Sequence, residues 1–61
     1  MRPADLRALR ESLGLTQSAL ADAIGMHANT VACMERGDKP ISARTVASLE
    51  MLRRVMRPPA P

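Results

Sequence analysis

QSALADAIGMHANTVACME, residues 17–35, reads as two short amphipathic helices joined at Gly25. Leu20 and Ile24 lie four residues apart and form the apolar stripe of the first helix, while Val31 and Met34 form that of the second. Gly25 supplies the positive φ that a sharp turn needs, at no steric cost. Met26 then packs inward, and the second helix of the pair starts near His27 or Ala28. Ala21 is small where two steeply crossing helices bring their backbones together. Such a crossing leaves one face of the second helix bare.

Working outward, Pro3 suits the first position of a helix, where its missing N–H costs nothing. Leu6, Leu9 and Leu13 then repeat at helical spacing, with Arg10 on the edge of the stripe, until Gly14 stops the helix. Thr16 is placed to cap the next helix, with Leu15 and Leu20 as its hydrophobic staple. Beyond the quoted stretch, Gly37 ends the third helix and Asp38-Lys39-Pro40 forms a loop. Ser42 caps a last helix running to about Met56, with Ile41 and Val46 as a second staple. Val46, Leu49, Leu52 and Met56 are expected to face the core. Residues 1–56 thus form one domain, and the proline-rich residues 57–61 are expected to be a disordered tail.

Composition supports an all-α reading. Alanine and leucine dominate the apolar set, and none of the 61 residues is aromatic. With a single cysteine, Cys33, and a single histidine, His27, neither an internal disulfide nor a four-ligand structural zinc site is expected. No apolar run approaches the roughly 18 residues that span a membrane, and no signal peptide is legible, so a cytoplasmic protein is expected. Nine Lys and Arg against six Asp and Glu give a net charge of +3, compatible with a polyanionic partner. The lack of aromatic residues disfavours modules that stack unpaired bases, so a nucleic-acid partner should be duplex.

The quoted stretch resembles the helix-turn-helix of the Cro and lambda-repressor-like family. That motif wants apolar residues at its fourth, eighth, tenth, fifteenth and eighteenth places, a small residue at the fifth and glycine at the ninth. Counted from Gln17, this chain supplies Leu20, Ala21, Ile24, Gly25, Met26, Val31 and Met34. The flanks LRESLGLTQ and MERGDKP are also similar to the family's, and the resemblance covers roughly residues 4–56. It implies an all-α bundle of four helices, five at most. The function it implies is sequence-specific binding of double-stranded DNA, as a small Cro-type repressor from a phage, a plasmid or a bacterium.

At about 100° per residue, Val31 and Met34 set the inward side of the third helix, and Ala28, Asn29, Ala32, Cys33 and Arg36 point outward. The Asn29 amide can pair with adenine N6 and N7, its competing role being a local helix cap. Ala28 and Ala32 are small enough for contact with thymine methyl groups, and the Cys33 thiol suits apolar contact better than hydrogen bonding. The resemblance implies that Ala28, Asn29 and Cys33 face base edges. Phosphate contacts are expected from Thr16 and Gln17, at a helix end whose free N–H groups attract anions, and from Thr30, Arg36, Lys39 and Arg44. The alternative for each basic residue is a solvated surface charge. The resemblance further implies Gln17 on a phosphate and a buried structural ion pair between Arg10 and Glu35. His27 departs from the family, which usually places a capping Ser or Thr there.

No nucleophile–base pair, carboxylate dyad or phosphate-cradling loop suggests an enzyme, and no metal, cofactor or small-molecule ligand is expected. The competing reading is an antitoxin or protein-interaction adaptor that retained the fold. Along the last helix, Ala47, Met51 and Val55 form a second apolar line, centred roughly 140° from the core-facing one. A homodimer joined there is expected, reading an inverted-repeat operator.

Overall fold

Four helices with local stop and start signals account for the chain from residue 1 to residue 56, the part that this computed structural model describes. They are α1 (Pro3–Ser12), α2 (Gln17–Ile24), α3 (Ala28–Arg36) and α4 (Ala43–Val55), and no strand occurs among the described residues. The proline-rich segment 57–61 lies outside them.

Three of the four helices begin where a side chain or a proline meets the orphan amides of the first turn. Pro3 opens α1, and the Asp5 carboxylate accepts the Arg2 N–H at 3.0 Å. The Thr16 hydroxyl accepts the Ala19 N–H at 3.0 Å at the head of α2, and Ser42 accepts that of Thr45 at 3.2 Å at the head of α4. α2 ends in a left-handed residue: Gly25 has φ 71°, and the Met26 N–H closes the turn on the Ala21 carbonyl at 2.8 Å. The same closure follows α3, where the Asp38 N–H reaches the Cys33 carbonyl at 2.9 Å.

All four helices contribute to one small interior. Leu6 of α1, Leu20 and Ala21 of α2, Val31 and Met34 of α3, and Leu49 of α4 are buried together. Leu9, Leu15, Ile24, Met26, Ile41 and Leu52 pack around them half-buried. Ala21 sits where α2 and α3 press together, the most extensive helix pairing in the domain; α3 also packs on α1, and α2 on α4. A larger side chain at Ala21 would push α3 away.

The structure corrects the expected inward face of α4. The fully buried residues are Thr45 and Leu49, whereas Val46 is only half-buried and Met56 is 38% exposed. Thr45 can go inside because Ser42 Oγ lies 3.0 Å from its hydroxyl, so burial strands no polar atom. Met56 falls at the cap of α4, beyond Leu52, the last residue of that helix to pack against the core. Leu13 is likewise half-buried at the cap of α1, outside the packed cluster.

Candidate nucleic-acid interface

Only the inner side of α3 is packed. Val31 and Met34 are buried, Ala28, Asn29 and Arg36 are exposed, and Thr30, Ala32 and Cys33 lie half-buried on the flanks. His27 holds the cap position in an extended conformation, but its side chain caps nothing. Asn29 is the second residue of the helix, past the cap position. A helix about 10–12 Å across with small residues on its free side matches the width of a major groove, about 12 Å.

α3 is anchored to its neighbours by a polar cluster at its carboxyl end. Arg10 of α1 donates to Glu35 through two nitrogens, Nε to Oε2 at 2.7 Å and Nη2 to Oε1 at 3.2 Å. A third donor, Arg10 Nη1, binds the Leu15 carbonyl at 2.8 Å and so fixes the connection into α2. Gln17 completes the cluster, its Nε2 donating to Glu35 Oε1 at 3.4 Å. Burial by itself pushes the Glu35 carboxyl up. The hydrogen bonds from Arg10 and Gln17, with the Arg10 and Arg7 charges, outweigh burial and hold it below the usual carboxylate range. The hydrogen bond to Glu35 raises the Arg10 guanidinium further, against its own desolvation.

The expected phosphate-binding residues divide into three groups. Thr16 uses its oxygen as the α2 cap, and the half-buried Gln17 is tied to Glu35 at the same helix end. With the Ala19 N–H held by Thr16, the Gln17 and Ser18 amides at the head of α2 have no acceptor within the helix and stay available to an anion. Lys39 and Arg44 are exposed and form no salt bridge among the described residues, and Arg44 lies beside the Gly25–Met26 turn across a shallow groove. Arg36 is the exception, because its Nε donates to Asp38 Oδ2 at 3.0 Å and its Nη2 to Cys33 Sγ at 3.3 Å. The sequence reading did not find this clasp, which spans a left-handed glycine and so escapes the helix-surface spacing rules.

Chemically, this face offers an amide, a hydroxyl, a thiol, small apolar side chains and flanking cations. Among the described residues no group of three or more His, Cys, Asp or Glu could hold a metal ion, and no helix is long and apolar enough to cross a membrane.

With that geometry in place, the family described as "Helix-turn-helix domain" matches residues 4–57, nearly the whole chain. No curated protein and no solved structure gives a match.

Proposed function

The chain belongs to the helix-turn-helix family, and on that premise we propose that it reads double-stranded DNA in a sequence-specific manner, as a small repressor of the Cro and lambda-repressor-like type. The observation that carries this reading is the unpacked side of α3, where Ala28 and Asn29 are exposed and Ala32 is half-buried. Asn29 pairs with an adenine edge, Ala28 and Ala32 lie against thymine methyl groups, and Cys33 adds an apolar contact. Thr16, Gln17, Thr30, Lys39 and Arg44 hold the flanking phosphates. Arg36 reaches a phosphate only by giving up or sharing its exposed pairing with Asp38.

A two-fold homodimer presents two such helices to successive major grooves, about 34–36 Å apart, and so reads an inverted repeat. Selection of bound sequences from random duplex DNA tests the whole reading. The expected result is a palindromic consensus whose retention survives a rise in salt better than bulk binding does. Recovery of unenriched sequences at every salt concentration overturns it.

A further inference from the structure

Asp38 falls in the chain between Arg36 and Lys39, two of the cations assigned to phosphates, where its charge opposes DNA. It also follows the carboxyl end of α3, which already carries partial negative charge, so the helix gains nothing from a carboxylate there. The local fold nevertheless fixes it in place. Gly37, at φ 86°, turns the chain back, and the Asp38 N–H closes on the Cys33 carbonyl at 2.9 Å. The Asp38 carboxylate then accepts from Arg36 Nε at 3.0 Å, while Nη2 of the same guanidinium donates to Cys33 Sγ at 3.3 Å. Arg36 is thereby folded back over a thiol on the side of α3 assigned to base edges.

We propose that Asp38 is a specificity-determining residue, a latch that keeps Arg36 from phosphates until α3 is seated on bases that fit it. This rests on the DNA-binding reading above and deepens it by naming how matched and arbitrary sites are told apart. Both side chains are largely exposed, 61% for Arg36 and 62% for Asp38, so water screens the pair and a well-placed phosphate can take it over. Position decides when that exchange occurs. On arbitrary DNA a protein is held by sequence-independent charge contacts that let it slide and hop. Arg36 stays latched in that loose mode. On a matched site, close contact of Cys33 with a base edge displaces the guanidinium from the thiol. The donor that Asp38 held then passes to a phosphate. Specificity is a difference between two affinities, so withholding one charge contact from arbitrary DNA sharpens it.

The test compares binding of a random-sequence duplex with binding of the consensus duplex that selection yields, by fluorescence anisotropy over a salt series. The proteins are the wild type, Asp38→Asn, Arg36→Gln, the double variant, and Asp22→Asn as a charge control. Asp22 is exposed and forms no salt bridge among the described residues. Each phosphate contact adds about 0.9 to the salt slope, which multiplies affinity about eightfold for each tenfold fall in salt. Asp38→Asn should steepen the slope on random DNA by about that amount. Binding of the consensus should tighten less, so the ratio of the two affinities should fall severalfold. With Arg36→Gln in place, the change at Asp38 should do no more than Asp22→Asn does in the wild type. Circular dichroism of each variant checks that its helices are intact. An Asp38→Asn protein that matches Asp22→Asn on random DNA, or acts equally without Arg36, overturns the latch and leaves the DNA-binding reading standing. Failure of the wild type and every variant to bind either duplex overturns both.

Discussion

Arg10 and Glu35 are 25 residues apart in sequence, yet their Nε and Oε2 atoms lie 2.7 Å apart, with only 14% and 6% of their side chains exposed. The fork of Arg10 spends two nitrogens on the carboxylate and a third on the Leu15 carbonyl, so one side chain binds α1, the turn before α2 and the end of α3.

Removing one partner of this pair should cost far more than removing both. Glu35→Ala leaves a desolvated guanidinium without its carboxylate and is expected to destabilise the domain by about 3–5 kcal/mol. The double variant Arg10→Met/Glu35→Leu, which replaces the pair with apolar volume, should lose much less. Thermal melts of both against the wild type decide it. Equal, small losses would show that the pair contributes little to stability.

Stability should also fall in acid through the same carboxyl. The folded Glu35 titrates below its ordinary value of 4.5, so its contribution is fully present above that pH. It is lost as the pH drops from there through the lower, folded value. Urea titrations from pH 7 to pH 3 should show a steeper acid loss for the wild type than for Arg10→Met/Glu35→Leu. Parallel profiles would assign the acid sensitivity to other carboxylates.

Gly25→Ala should destabilise the domain without disturbing its packing. A Cβ at Gly25 meets no atom within 4 Å, so the penalty is purely conformational, from φ 71°. A left-handed alanine costs about 1–2 kcal/mol, and Gly25→Asn should cost less. Chemical denaturation of the two variants gives the comparison, and an alanine variant as stable as the wild type contradicts a left-handed turn here.

Asn29→Ala should change what is read rather than how tightly DNA is held in general. Loss of a bidentate contact to adenine is worth about 1–3 kcal/mol at one base position per half-site. The salt dependence should stay as in the wild type, because no phosphate contact is removed. Binding to a panel of single-base operator variants shows whether one position loses its preference. An unchanged panel would take Asn29 out of base reading.

The helices were legible because their ends are written locally: Thr16 and Ser42 each serve an amide three residues on, and Gly25 and Gly37 close the turns. The phase of α4 was less so. Hydropathy favours Val46 for the inside, but Thr45 takes that place because a hydroxyl satisfied by Ser42 is cheap to bury. At the candidate interface, the exposed side of α3 followed from helical spacing. Nothing in a separation of 25 residues announces a partnership between Arg10 and Glu35, which only the family resemblance suggested. The bond from Gln17 to Glu35 and the Arg36–Asp38 clasp depend on how three chain segments meet, and no one-dimensional pattern encodes that.

The interior draws on every helix and on no more than two buried apolar side chains from any one of them. No pair of helices therefore encloses the whole hydrophobic centre, although α2 and α3 together supply four of its six buried side chains. Unfolding should consequently be all-or-none, without a half-melted species in which the turn between α2 and α3 survives. Calorimetric and van't Hoff enthalpies should agree. The same sharing means that a peptide spanning residues 16–37 alone should be largely unfolded, since packing of α2 on α3 leaves without cover the apolar surface that α1 and α4 complete.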